Sequence, residues 1–370
     1  MPGTGGDGVG GVVAGTGGDG VGGVVAGTGG DGTAGGGAGA SGEAGSAGTA
    51  SGGEPAGGGS AGQGGAGGQG GAGGQTSTGS LVSIARAATI EQATADAVTM
   101  AGGLGFVSGG TVLLKPNLNS GDPAPCSPSP EVMGALVQMC FQAGAARVIV
   151  ADCSNPDYET IQCMQTAGWY QLIQELGAEP LDLRGTPSEL RSPAGATHWP
   201  DGYNMYSLFF DGTLDHVINV CCPKDHGLAN FTMALKAWMG IIEQDDRNFA
   251  HGDLGNRLPE LHLEIRADFT VLDASRCNLT NGPFPGQQAD SDLVVASTDP
   301  IAVDATGVAL LKYWLERRGV SNWRLSSYGV WDQPQLVRAM QLGIGISSPS
   351  EYSQQSQGVS EIEDILAYMT

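Results

Sequence analysis

The sequence predicts an α/β fold: a mainly parallel sheet with helices on both faces, preceded by a disordered glycine-rich segment. Three observations lead there: short uninterrupted Val/Ile/Leu runs, helical patterns between them, and an abrupt change of composition near residue 80. Apolar runs of that kind suit strands buried on both faces, and strands that alternate with helices build parallel sheets covered on two sides.

Residues 1–80 contain more than half of the 64 glycines and no Phe, Trp or Tyr. "GTGGDGVGGVVA" occurs twice in succession, a degenerate copy follows, and "GQGGAGGQGGAGGQ" comes later at a shorter period. Such a segment offers too little apolar area to offset backbone ordering, so residues 1–80 read as a low-complexity linker or stalk. Asp7, Asp19 and Asp31 are too sparse for a calcium-binding β-roll, since a hard cation needs six or more oxygens. Residues 81–370 read as a single α/β domain, of a size that one core with insertions can fill.

Within that domain the strand candidates are "TVLLKPN", "RVIVADC", "DHVINVCC", "FTVLDAS" and "SDLVVAS". The clearest helix is "PEVMGALVQMCFQAG", with Pro130 near its start, Gly144 near its end, and Val132, Leu136 and Met139 on one stripe. In "STDPIAVDATG", Asp299 reads as the N-cap before Pro300, and Asp304 faces either the sheet or a site.

The net charge of −22 disfavours nucleic acid and anionic lipid as partners. It also makes the few basic residues informative. Seven cysteines without C-x-x-C spacing suggest neither a disulfide framework nor a zinc ribbon. No apolar run is long enough for a membrane span, and the opening "MPGTGGDG" is not a signal peptide. The expected location is therefore cytoplasmic, or exported or lipid-anchored if translation starts further upstream.

Polar clusters follow the strand candidates, where parallel sheets gather ligands. "KPN" supplies Lys115 and Asn117, "ADCSN" supplies Asp152, and "PKDH" supplies Lys224 and His226. Asn230 reads as the N-cap of a helix over "FTMALKAWMGII", whose core stripe is Phe231, Leu235, Trp238 and Ile242. Lys236 lies off that stripe and is free to enter a cleft. The expected helix N-terminus, Lys224 and Lys236 would together attract a small carboxylate or phosphate. His226 and His251 are candidates for acid/base work or for a metal, whereas His198, His216 and His262 have the contexts of structural residues.

These motifs in order, "LLKPNLNS", "HVINVCCPKDHGLANFTMALKAWMG", "RNFAH", "GPFPG" and "STDPIAVDA", resemble the domain-of-unknown-function 362 family from about Thr111 to Ala305. Many members of that family carry a ferredoxin-like cassette of two four-cysteine runs and a twin-arginine export signal. This chain has neither, so no intrinsic iron–sulfur cluster is expected. Where the family has Lys-Asn, this chain has Lys236-Ala237. The order and spacing of His226, Lys236 and His251 are also similar to the nickel-pincer lactate racemases. That similarity implies Lys236 as cofactor anchor, His251 as metal ligand and His226 as acid/base, although "ADCSN" lacks the racemases' histidines.

The combined expectation is an enzyme of isomerase or oxidoreductase type acting on a small anionic substrate. Lys236, His226 and His251 would be catalytic, and Lys115, Asn117, Lys224, Asp152 and Asp304 would bind substrate. His251 and His226 would hold a divalent metal such as nickel, iron or zinc. The rival expectation is a noncatalytic ligand-binding domain on a flexible stalk.

Overall fold

The computed structural model describes residues 80–370; the glycine-rich stalk expected before them lies outside the described residues. The strands are β1 (Ser80–Ala85), β2 (Thr111–Pro116), β3 (Arg147–Asp152), β4 (Glu179–Asp182), β5 (Ser188–Arg191), β6 (Tyr203–Tyr206), β7 (His216–Cys221), β8 (Lys224–His226), β9 (Asn230–Thr232), β10 (Phe269–Asn278), β11 (Gln288–Ser297) and β12 (Tyr352–Gln357). The main sheet has the order β12-β1-β11-β10-β7-β2-β3-β4, while β5 and β6 pair separately.

The main sheet is mainly parallel, as expected. β10, β7, β2, β3 and β4 run in one direction, and β12 is parallel to β1. β11 is the exception, antiparallel to both β10 and β1. Only residues 279–287 separate it from β10, too few for a crossover, so the chain returns as a hairpin.

Strand alternation distributes the apolar side chains between two faces. Val112, Leu114, Val148 and Val150 join one core with the helices Ile90–Met100 and Pro130–Gln142. Leu113, Ile149 and Ala151 face the other way, toward Trp238, Ile241 and Leu258. Beside them, Leu272, Ala274, Leu293 and Val295 pack under the long helix Pro300–Arg318.

The helix starts follow local chemistry. Ser129 accepts the amide of Val132 and Asp299 that of Ala302, each just before a proline that opens the helix. The Pro300–Arg318 helix stops at Gly319, whose φ of 62° is a left-handed conformation that costs glycine little. No helix among the described residues is long and apolar enough to cross a membrane.

One expected element is corrected. Asn230 does not cap a long helix: it begins β9, which pairs antiparallel with β8, and it holds a φ of 66°. The helix starts later, spans only Ala234–Ala237, and passes into a 3-10 turn at Trp238–Ile241. Phe231, Leu235, Trp238 and Ile242 are all buried, but from three different local conformations. The hairpin prevails because β8 continues onto the end of β10, at Asn278 opposite Lys224, and so gains sheet partners that an early helix would forgo.

Candidate functional site

The parallel strands β2, β3 and β7 end on the same edge of the sheet, and the segments that follow them enclose a cavity of about 350 Å³. Asn117, Asp152, Lys224, His226, Lys236, Arg247 and His251 all line it. Residues that are distant in the chain thus meet where parallel sheets usually collect ligands.

The β8–β9 hairpin explains why Lys224 and His226 arrive together. Side chains two apart in a strand share a face, so both enter the cavity while Asp225 turns away. Asp225 accepts the amide of Gly282 and the side-chain amide of Asn322, leaving Lys224 without it as a counter-ion. Lys224 instead donates to Asn117 Oδ1 and, at 2.5 Å, to the Cys126 carbonyl. Burial lowers its pKa, opposed by the thiols of Cys222, Cys126 and Cys221.

Lys236 comes from the short helix. That helix is anchored by Asp304, whose carboxylate oxygens accept the amides of Ala234 at 2.6 Å and Leu235 at 3.0 Å. Asn219 holds the Ala234 carbonyl and His262 the Leu235 carbonyl. The positive helix end invoked from the sequence is therefore spent on Asp304 rather than offered to a ligand. Lys236 is 8% exposed, and its side chain makes no hydrogen bond or ion pair with any described residue. Burial, then Lys224 and Arg247, lower its pKa to about 7.

Arg247 has no part in the roles expected from the sequence, yet it lines the cavity. It lies on the helix Gln244–Ala250, with His251 one turn on at the C-cap. The i, i+4 spacing of Arg247 and His251 is the signal that places both on one helical face. Arg247 donates through Nε to the Ile242 carbonyl and through Nη1 to those of Cys153 and Ser154. Its buried Nη2 has no partner among the described residues.

The two imidazoles carry their protons on opposite nitrogens. His226 Nδ1 lies 3.1 Å from the amides of both Leu228 and Ala229. Amides only donate, so Nδ1 is bare and the ring proton sits on Nε2. Burial, then Lys236 and His251, lower its pKa to about 2, so the ring is neutral. His251 Nδ1 lies 2.6 Å from the Arg247 carbonyl, which only accepts, so Nδ1 holds the proton and Nε2 keeps its lone pair. Burial lowers the His251 pKa despite that carbonyl, and Lys236 and Arg247 lower it further. The cavity therefore presents one imidazole donor and one imidazole base.

This arrangement corrects three expected roles. Lys115 does not line the cavity; it is fully buried, pairs with Asp152 at 2.7 Å and donates to the Pro116 carbonyl. Asp304 also lies behind the wall, bound to the short helix. His226 can ligate a metal through Nε2 only by losing its last ring proton. Among the described residues, no group of three or more His, Cys, Asp or Glu can hold a metal ion. Nickel, iron or zinc needs more donors than His251 Nε2 supplies, so these residues do not fit a centre held by the protein alone.

Asp152 does reach the cavity, but its oxygens are occupied by Lys115 and by the amides of Leu118 and Cys153. Gly240 packs directly against this pair, where a methyl group would collide with the Asp152 carboxylate and come within 2.9 Å of Lys115 Nζ. Asn117 reaches the cavity while holding Lys224. His262, expected to be structural, is buried and stacked on Trp238 with ring centroids 4.8 Å apart.

Residues 112–309 match the family model described as a domain of unknown function (DUF362). That span includes every residue named above as lining the cavity. The chain is also 30% identical, over 216 residues, to a thylakoid-associated protein of Synechocystis sp.. The alignment covers 55% of this chain and 64% of that relative, so the chain matches just under two thirds of the relative's length.

Proposed function

The chain belongs to the DUF362 family, and from that premise we propose that it is an enzyme of acid–base chemistry acting on a small anionic substrate held by Lys224, Lys236 and Arg247. One observation carries the reading: among the described residues, none of these three cavity-lining cations is paired with a carboxylate. The one acid they meet in the wall, Asp152, is matched by Lys115. Buried charge without a counter-ion is costly, and an anionic guest recovers that cost on binding. In a chain of net charge −22, this positive cavity is a local exception that admits small anions.

The reaction class follows from the imidazoles. His226 Nε2–H donates to a carbonyl or carboxylate oxygen of the guest, and His251 Nε2 accepts a proton from the carbon or hydroxyl beside it. The adjacent cations stabilise the negative charge that develops. Proton abstraction next to a carboxylate, as in an isomerase, is the chemistry these groups serve best.

The test is proton exchange in deuterated water, followed by NMR over small 2-hydroxy and 2-oxo carboxylates. The native protein should wash deuterium into one of them, and His251→Ala should slow that exchange by about 10²–10⁴-fold, the usual contribution of a positioned base. Calorimetric binding of a carboxylate with no exchange would favour a noncatalytic ligand-binding domain. Neither binding nor exchange would overturn the reading altogether.

A further inference from the structure

We infer that Lys236 is a covalent nucleophile, capturing the carbonyl carbon of a 2-oxo acid as a protonated imine while Lys224 and Arg247 receive the carboxylate of that substrate. This rests on the reading of the cavity as an anion site and names the substrate class for it.

The chain has only four lysines, Lys115, Lys224, Lys236 and Lys312, and their surroundings differ. Lys115 is neutralised by Asp152, Lys224 is held by Asn117 and the Cys126 carbonyl, and Lys312 donates to the Tyr328 carbonyl. Lys236 alone of the four has no partner among the described residues, although it is buried in the cavity wall. A lysine kept for structure would be expected to satisfy its ammonium group when buried. One kept for nucleophilic work needs its nitrogen unengaged, in an apolar site or beside other cations. Lys236 has both surroundings, and at a pKa of about 7 a large share of it is free amine near neutrality.

The neighbours supply what the chemistry requires. Arg247 lines the same cavity and leaves Nη2 without a partner among the described residues, a donor suited to a carboxylate. His251 Nε2 takes one proton from the Lys236 ammonium group, and the resulting amine attacks the carbonyl carbon, so that a C–N bond forms and the C=O π pair moves to oxygen. The His226 Nε2–H group steadies that oxygen by a hydrogen bond. A second proton moves from nitrogen to oxygen, giving a carbinolamine. Protonated His251 then returns its proton to the hydroxyl group, which leaves as water while the nitrogen lone pair forms the C=N bond. Ammonium plus ketone becomes protonated imine plus water, with no oxidant or reductant, and both imidazoles end as they began.

The experiment treats the full-length protein with pyruvate and sodium borohydride and maps the reduced adduct by peptide mass spectrometry. Binding of pyruvate and of lactate, which lacks the carbonyl, is measured in parallel by calorimetry. The expected result is an adduct on Lys236, with loss of the adduct but retention of pyruvate binding in a Lys236→Arg protein that melts like the native one. Because the modified residue is mapped in the native protein, the result does not depend on the variant folding. No adduct, or an adduct on Lys224 or Lys312 instead, while pyruvate and lactate both bind, overturns the imine and leaves the anion site standing. If neither acid binds and no adduct forms, both readings fall together.

Discussion

Lys115 and Lys236 are both buried beside the same cavity, yet they occupy opposite electrostatic situations. Lys115 stands behind the wall with Asp152 at 2.7 Å and the Pro116 carbonyl at 2.8 Å. Lys236 lines the cavity with no partner among the described residues, facing Lys224 and Arg247 as like charges. The first arrangement serves the fold, because each ion compensates the desolvation of the other. The second gives the fold no such return and makes sense once a guest supplies the missing negative charge. Proximity to a cavity does not assign a buried lysine to function; the presence or absence of a resident counter-ion does.

The largest expected effect attacks the structural half of this contrast. Lys115→Met should leave the Asp152 carboxylate buried and unpaired, costing about 3–5 kcal/mol in denaturant unfolding. Lys236→Met, measured alongside at pH 6, should lose no stability, because it removes an uncompensated charge. The opposite ranking would reverse the two assignments.

A smaller effect sharpens the functional half. Asp304→Asn retains one acceptor for the amides of Ala234 and Leu235 but places an NH2 group against the other, costing roughly 1–3 kcal/mol for a buried unsatisfied group. Because the helix it anchors carries Lys236, the substitution should also weaken pyruvate binding, as calorimetry would register. Unchanged binding with lowered stability would show that the helix holds Lys236 in place without Asp304.

The finest effect concerns pH. Lys236 has a pKa of about 7 in the folded chain against an ordinary value of 10.5. Between those values the unfolded chain holds a proton that the folded chain lacks, so the contribution of Lys236 to stability rises with pH across that window. Its cost is fully present below pH 7 and gone above 10.5. The difference in unfolding free energy between native and Lys236→Met proteins should change by at most about 1.4 kcal/mol per pH unit there. A flat difference across the window would mean that Lys236 is already compensated.

Much of the fold was legible because its signals are local. β2, β3 and β7 are continuous apolar runs, and Pro130 and Pro300 follow Ser129 and Asp299 as proline follows a cap. β12 was not legible, since "YSQQSQ" is a polar strand that exists only by lying against β1. The β8–β9 hairpin is hidden in the sequence because Leu235, Trp238 and Ile242 have helical spacing with Phe231. Only the pairing of β8 with β9 and with the end of β10 outweighs that local pattern.

The site divides along the same line. Residue identity alone concentrated Lys224, His226 and Lys236 into one short stretch and put His251 after Arg247, so the chemical groups could be named from the chain itself. Charge state and direction could not, since each is determined by a partner remote in sequence or by a turn whose shape is not written in any one residue. Asp304 anchors a helix 70 residues before it, Asp152 claims Lys115 from the next strand, and Asp225 is drawn from Lys224 to Gly282. Local propensity depends on a few neighbouring dihedrals and is readable in a linear string. The pKa of a buried ion depends on every charge and dipole within several ångströms, and that neighbourhood comes into being only when the strands assemble.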